Sequence, residues 1–279
     1  MSESPLLEVE DLSVSFPSRG GITRAVRNAS FSLGRERLGI VGESGSGKST
    51  AGRALLGLVP PPGIVTAKRM NFAGQNLISL RDADWQALRG RRISMVMQDP
   101  KYSLNPVIKI GDQVQEAYRL HHRSTSEEAR RRALAMLDAV KIRDPDLVYH
   151  LYPHQLSGGM GQRAMIAMML IAEPDLLIAD EPTSALDVTV QNQVLRILDD
   201  LVTDRGMGLI FISHNLTIVS SFCDRVLVMY GGRIVEECQA NALQAAKHPY
   251  TRALLKAAPS LDHPLTELAV VKRNPEWLL

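Results

Sequence analysis

Residues 38–50 read LGIVGESGSGKST, and no other stretch of the chain limits its fold as tightly. Leu38, Gly39, Ile40 and Val41 form a short apolar run that predicts a buried strand. Gly42 to Ser49 then follow the spacing G-x-x-x-x-G-K-[ST] directly after it. Gly42, Gly45 and Gly47 free the backbone to fold back, so that the N–H groups from Gly42 through Glu43, Ser44 and Ser46 to Ser49 point at one centre. A helix expected to begin near Lys48 and to carry Thr50 adds a partial positive charge of about half a unit. Such a loop is a cradle for phosphate. Lys48 supplies a mobile full charge for β- and γ-phosphates, and the Ser49 hydroxyl is placed to complete the shell of a Mg²⁺ ion, a hard cation that prefers oxygen.

The 279 residues suffice to bury a full core, as one large domain or a domain with an inserted lobe. A net charge of +2 from nearly balanced acids and bases gives no electrostatic reason to expect nucleic acid as the partner. Arg119, Arg123, Arg130, Arg131 and Arg132 cluster, but Glu127 and Glu128 lie among them, which predicts a solvated helix face. The longest nearly unbroken apolar run, residues 164–172, is far shorter than the roughly 20 residues that cross a bilayer. Residues 1–10 carry three acids and no apolar segment, so no secretory signal is expected and the chain is read as cytoplasmic. Cys223 and Cys238 lack metal-site spacing and read as small buried or partly buried residues.

In chain order, alternation over residues 7–16 and 29–33 predicts an antiparallel sheet around a loop at 17–21. A helix over 50–58 should stop at Pro60-Pro61-Pro62, and a strand pair should span 67–72. Residues 93–97 predict a buried strand that delivers Gln98 to the rim of a parallel sheet, where such folds bind ligands. From Pro100 to Pro153 the pattern turns helical, over 111–120 and over 126–140 with Ser126 as cap. Ser157, Gly158 and Gly159 open a helix to residue 172, a second anion-binding helix start, with Met165, Met168 and Met169 as core packing. His121-His122 reads as solvated loop.

The apolar run 176–179 delivers Asp180 and Glu181 to its end before Pro182. Two carboxylates there are costly unless they face a metal and a phosphate. After a helix over 188–201, residues 209–212 form another buried strand that ends in Ser213-His214. Strands over 225–229 and 232–236 and helices over 240–247 and 250–258 complete the reading. Four strands are thus expected to bring the phosphate loop, Gln98, Asp180-Glu181 and His214 to one rim.

Together GESGSGKS, Gln98, LSGGM, LLIADEP, Ser184-Ala185-Leu186-Asp187 and His214 resemble the ATP-binding subunits of ATP-binding-cassette (ABC) transporters over almost the whole chain. The resemblance implies an α/β fold: a P-loop NTPase, RecA-like core with an N-terminal antiparallel β-subdomain and an inserted α-helical subdomain. The domain would span residues 1–247, with the helical subdomain at about 100–165 and a C-terminal tail over 248–279. It implies that Gly42, Glu43, Ser44, Gly45, Ser46, Gly47, Lys48, Ser49 and Thr50 bind the phosphates of ATP. Ser49, Asp180 and Gln98 would hold Mg²⁺, Asp180 through water or directly. Glu181 would be the general base, His214 would contact the γ-phosphate and the attacking water, and Gln98 would sense both. Ser157, Gly158 and Gly159 would reach the nucleotide of a partner cassette. Phe16 matches the aromatic that stacks on adenine, although it reads equally as an apolar strand residue.

Within the family, ESGSGKS, QDP followed by Ser103-Leu104-Asn105-Pro106, LSGGM, ALDVTVQ, VMYGGRIVE and HPYTRALLKAAP resemble importers of peptides, nickel and related solutes. That subgroup implies a second, different ATP-binding subunit, two transmembrane permease subunits and an extracytoplasmic solute-binding protein, with the cassette peripheral on the cytoplasmic face of the inner membrane. Met160 stands where many cassettes have Gln, Gly161 where Arg is usual, Asn215 for an Asp, Arg35 for a Gly, and Cys238 for a turn Gly. The cysteine cluster of some relatives after the HPY tail is missing from this sequence, so no iron–sulfur cluster is expected. The competing readings are a soluble cassette ATPase acting on DNA repair or ribosomes, and a nucleotide-binding scaffold that does not turn over. Long coiled-coil insertions or a second cassette would mark the former, and Glu181 with His214 argue against the latter.

Overall fold

The apolar alternation that begins at Leu7 folds as a long hairpin. In the computed structural model, which describes residues 4–18, 20–184, 186–257, 274 and 277, β1 (Leu7–Ser18) and β2 (Gly21–Leu33) pair antiparallel. Pairing continues through Pro17 opposite Ile22 and Ser18 opposite Gly21, beyond the strand ends that alternation predicts. Main-chain pairing needs no apolar side chain, so an exposed hairpin tip leaves no pattern to read. Register shifts inside the hairpin coincide with left-handed Asp11 (φ 56°) and Asn28 (φ 49°). Their N–H groups are met by Ser30 Oγ at 2.9 Å and Ser13 Oγ at 3.0 Å, which keeps these bulges satisfied.

The chain continues through β3 (Arg37–Val41), α1 (Lys48–Leu55), β4 (Ile64–Thr66), β5 (Arg69–Phe72), β6 (Gln75–Asn76), α2 (Asp82–Leu88) and β7 (Ile93–Val96). Then come α3 (Ile110–His121), α4 (Ser126–Ala139), α5 (Pro145–Tyr149), α6 (Gly158–Leu170), β8 (Leu176–Asp180) and α7 (Val188–Arg205). Last are β9 (Gly208–Ser213), α8 (Leu216–Phe222), β10 (Arg225–Tyr230), β11 (Arg233–Gln239) and α9 (Pro249–Ala257). Residues 1–80 with 210–279 form one compact unit, and residues 81–209 form a second.

In the first unit β2, β1, β5 and β6 lie in that order, with β4 also paired to β1. A second set of strands runs β11, β10, β3, β9, with β10 parallel to β3 and antiparallel to β11. Buried Leu38, Ile40 and Val41 of β3 and Val226, Leu227 and Val228 of β10 make its core. Burial on both faces is why these strands read as continuous apolar runs.

In the second unit β7 runs parallel to β8, with Ile93 opposite Leu176 and Val96 opposite Ala179. Helices α3, α4, α5 and α6 pack on one another over buried Val114, Ala133, Leu137, Val148 and Met165. Buried Gln113 pins the loop ahead of α3: its amide nitrogen donates to the carbonyls of Asn105 (3.0 Å) and Ile108 (2.8 Å), and its oxygen accepts from Asn105 N–H (2.8 Å). Arg119, Arg123, Arg130, Arg131 and Arg132 are exposed, as their charge pattern predicts.

Several local expectations are corrected. Helix α1 spans Lys48–Leu55: it begins at Lys48, as the phosphate-loop reading expects and ahead of the 50–58 span, and it ends short of residue 58, before Gly57, whose φ of 60° leaves the helical region. Thr125, not Ser126, caps α4, because its hydroxyl accepts the Glu128 N–H at 3.2 Å. His121 is the last residue of α3 and half-buried rather than solvated loop, and His122 stacks on Tyr118 with centroids 4.4 Å apart. Met165 is buried, but Met168 and Met169 are only half-buried. Residues 240–245 form a 3₁₀ helix. Cys238 lies in β11 opposite Val226, so it occupies a strand, not a turn. Ala258, the expected end of the last helix, lies outside the described residues.

Candidate functional site

Strand β3 ends in a loop whose glycines all take left-handed angles: φ is 151° at Gly42, 79° at Gly45 and 104° at Gly47. Two of them are also hemmed in by backbone. A Cβ at Gly42 would stand 2.2 Å from the Met229 carbonyl oxygen, and one at Gly47 would stand 2.3 Å from that of Ala25. The loop is therefore pressed against β10 and β2, and only glycine fits both positions.

Lys48, the first residue of α1, is 5% exposed. Its ammonium donates to the Gly42 and Glu43 carbonyls, each at 2.8 Å, and so ties the loop's start to the helix it leads into. Ser46 N–H donates to the Glu43 carbonyl at 3.1 Å, and Glu43 N–H donates to Tyr250 Oη at 2.9 Å. Ser44 and Gly45 form the exposed rim, where a Cβ on Gly45 would meet nothing within 4 Å. The first turn of α1 holds no acid, and Ser49 and Thr50 place half-buried hydroxyls there. A buried cation, a helix start and an open glycine rim make a fitting seat for a phosphate chain. His214 follows β9, the strand next to β3, and is exposed. Asn215 caps α8 by accepting the Ile218 N–H at 3.2 Å, a task at which Asn and Asp are equivalent.

In the second unit the ends of parallel strands β7 and β8 bring two predicted residues together. Gln98 Nε2 donates to Glu181 Oε2 at 3.0 Å. Asp180, the last residue of β8, is 5% exposed, whereas Glu181 is half-buried. Glu181 carries φ 48°, a left-handed conformation for a residue with a side chain. Such a backbone costs on the order of 1 kcal/mol or more and is held where surroundings over-determine it. Here the following turn does so: Ser184 N–H and Oγ both donate to the Glu181 carbonyl, at 3.3 and 3.2 Å.

Ser157 caps α6 by accepting the Met160 N–H at 3.3 Å, and Ser157 and Gly158 are exposed. A cleft of about 910 Å³ is lined by Gln98, Pro100, Leu104, Ser157, Gly158 and Leu186. Asp187 caps α7 through the N–H groups of Thr189 and Val190, both at 3.0 Å, a structural task its motif alone does not disclose. Among the described residues no three His, Cys, Asp or Glu side chains cluster as a metal cage. A hard cation shared with phosphate needs no such cage, since single hydroxyl or carboxylate oxygens suit it; the first unit offers the Ser49 hydroxyl and the second, separately, the Asp180 carboxylate.

Phe16 lies in β1 opposite Thr23 and is half-exposed. Its Cε1 sits 2.8 Å from where a Gly63 Cβ would be, so the ring borders the proline turn. Cys223 is buried, and that burial pushes its thiol up to about 12, which leaves it protonated and unreactive at neutral pH. Tyr250, fully buried and bonded to the phosphate loop, was not among the residues that motif reading singled out. Its only signal was its place in the HPY tail.

Comparison with known proteins follows these motifs. A family profile described as ABC transporter matches residues 26–184. The chain is 45% identical over 273 residues to a putative peptide import ATP-binding protein of Brucella melitensis, covering 97% of this chain and 82% of that one. It is 44% identical to the oligopeptide transport ATP-binding protein OppD of Salmonella typhimurium, over 98% of this chain and 82% of that one. With the dipeptide transport ATP-binding protein DppD of Escherichia coli it shares 44% identity, over 95% and 81%. Among solved structures it is similar to the dimeric post-hydrolysis state of the ATP-binding cassette MJ0796 bound to ADP and Pi, with TM-score 0.76, 25% identity, and coverage of 84% and 98%. Similarity extends to cbiO1 from Clostridium perfringens, part of the transporter complex cbiONQ, with TM-score 0.74, 27% identity, and coverage of 91% and 96%.

Proposed function

This chain belongs to the ABC transporter family as an ATP-binding and ATP-hydrolysing subunit, and from that premise we propose that it powers the import of peptides. The relatives named for peptide, oligopeptide and dipeptide transport, each matched over at least 95% of this chain, support that solute class. The observation that carries the hydrolytic reading is the Gln98–Glu181 hydrogen bond at 3.0 Å, which steadies a carboxylate at the end of a buried strand beside Asp180.

In the proposed reaction Lys48 and the loop N–H groups from Gly42 to Ser49, apart from that of Glu43, which Tyr250 takes, hold the β- and γ-phosphates with Thr50, and Phe16 stacks on the adenine. The Ser49 hydroxyl and Asp180 carboxylate, with the Gln98 carbonyl, supply oxygens for Mg²⁺. When bound, that ion neutralises phosphate charge. Glu181 accepts a proton from a water whose oxygen bonds to the γ-phosphorus, while the bond from that phosphorus to the β–γ bridging oxygen breaks. ADP and inorganic phosphate leave. His214 orients the water and the γ-phosphate. General-base assistance of this kind contributes about 10²–10⁴ in rate.

Ser157, Gly158 and Gly159 act on the nucleotide of a second cassette, a different chain. Two permease subunits and an extracytoplasmic binding protein complete the complex, with this chain peripheral on the cytoplasmic face of the inner membrane. No helix among the described residues is long and apolar enough to cross a membrane. Residues 1–247 are assigned to the ATPase domain, with 100–165 as its helical subdomain, and 248–279 to the tail.

Purification of the chain from membranes tests this reading. Two permeases and a second ATP-binding subunit are expected to co-purify, and vesicles of the complex should take up labelled di- and oligopeptides only when ATP is present on the cassette side. ATP hydrolysis without peptide uptake would overturn the solute assignment.

A further inference from the structure

The phosphate loop is held from behind by the last part of the chain. Glu43, the second residue of the loop, donates its N–H to Tyr250 Oη at 2.9 Å, across 207 positions of sequence. Tyr250 is fully buried on α9, and its ring packs on Tyr230 with centroids 4.4 Å apart and on Trp277 with centroids 5.5 Å apart. Trp277 also meets Tyr230 edge-on at 5.5 Å, and Tyr230 Oη donates to the Asn274 carbonyl at 3.2 Å. Tyr230 follows Met229, whose carbonyl oxygen fills the space where Gly42 would carry a Cβ. A three-ring cluster thus backs the two residues that open the loop.

The segment ahead of Tyr250 is fixed as well. The N–H groups of Lys247 and His248 donate to one Glu236 carboxylate oxygen, at 2.6 and 3.2 Å, and Tyr250 N–H donates to His248 Nδ1 at 3.2 Å. The hydroxyl therefore arrives at Glu43 from a frame with little freedom. An N–H turned back toward Tyr250 is not one that faces a phosphate, so this bond shapes the loop and does not bind the nucleotide itself.

We propose that Tyr250 is a positioning residue for the phosphate loop, acting through the Glu43 N–H, and that the cluster of Tyr230, Tyr250 and Trp277 thereby sets ATP affinity. The role rests on the nucleotide-binding reading of residues 42–50. It makes α9 part of the ATPase's binding apparatus, so that any event displacing α9 weakens nucleotide binding.

Tyr250→Phe in the full chain is the test, because it keeps the ring and its packing and removes only the hydroxyl. Amide hydrogen exchange of the peptide covering residues 38–50, without nucleotide, should speed up in the variant while its thermal midpoint stays near that of the wild type. A fluorescent ATP analogue should bind about three- to tenfold more weakly, the loss expected from one hydrogen bond, and KM for ATP should rise with kcat unchanged. Trp277→Ala should move both readouts in the same direction. Unchanged exchange in Tyr250→Phe overturns the positioning role whatever the nucleotide does, and so does a fall in kcat at unchanged affinity. A wild-type chain that binds no analogue overturns the nucleotide reading itself, which the exchange arm does not depend on.

Discussion

Gln98 donates its side-chain N–H to Glu181 across 3.0 Å, joining the loops that follow two adjacent parallel strands. The contact survives replacement of Glu181 by Gln, because an amide oxygen accepts the same bond, but the proton acceptor is lost. Glu181→Gln should therefore fold and bind Mg-ATP as the wild type does while kcat falls by about 10²–10⁴. With a partner cassette present, the variant should remain as an ATP-bound pair on gel filtration. Wild-type turnover by the variant would remove Glu181 from the reaction.

Lys48 is expected to separate binding from folding. Its ammonium reaches two carbonyls of its own loop at 2.8 Å, and it is the cation seated in the cradle. Lys48→Ala should lower ATP affinity at least about tenfold, the scale of one lost charge-assisted contact, with an unchanged far-ultraviolet dichroism spectrum. Equal affinity in a direct titration would place the phosphates elsewhere.

Two glycine substitutions should act in opposite directions. At Gly47, φ is 104° and a Cβ would stand 2.3 Å from the Ala25 carbonyl oxygen, so Gly47→Ala should destabilise the fold by more than about 1 kcal/mol and impair nucleotide binding. At Gly161, inside α6, a Cβ would meet Pro100 at 3.8 Å, an ordinary contact. Gly161→Ala should stabilise by about 0.5–1 kcal/mol, because alanine restricts the unfolded chain and favours helix. Urea titration of both variants against the wild type checks the signs.

The buried strands were legible because burial on both faces writes continuous apolar runs, as in residues 38–41, 176–179 and 209–212. The phosphate loop was legible because glycine spacing records positions that no other residue fits. Helix ends were less so: Thr125 and Ser126 are adjacent hydroxyl residues, and only backbone angles decide which one caps α4. The pairing at the hairpin tip, Ser18 with Gly21, was not legible, since both residues are exposed and carry no apolar alternation. Tyr250 was hidden for another reason: a contact spanning 207 positions has no local pattern, whatever its consequence for the loop. The Gln98–Glu181 pair lies between these cases, with both residues marked as strand-end polars and their bond set by strand register.

A tie between the starts of β3 and β10 gives the fold a pH dependence that can be measured. Asp224 accepts Arg37 N–H at 2.8 Å and the Arg37 guanidinium at 3.2 and 3.1 Å. Partial burial raises this carboxyl, yet Arg37 outweighs it and holds the group below its ordinary value. A depressed folded-state value means that the stabilisation is complete above the unfolded carboxyl value of about 3.9 and is lost as pH falls through the lower folded one. The side chain of Asp224 is 43% exposed, so solvent screening limits the tie to roughly 0.5–1 kcal/mol. Asp224→Asn should cost that amount at pH 7, and less in high salt. Below about pH 4 the gap between variant and wild type should close, because the wild-type carboxyl is then itself being neutralised. Thermal unfolding of both proteins between pH 3 and pH 8 gives the comparison, and a gap that stays constant down to the acid end would show that the tie does not depend on the charge of Asp224.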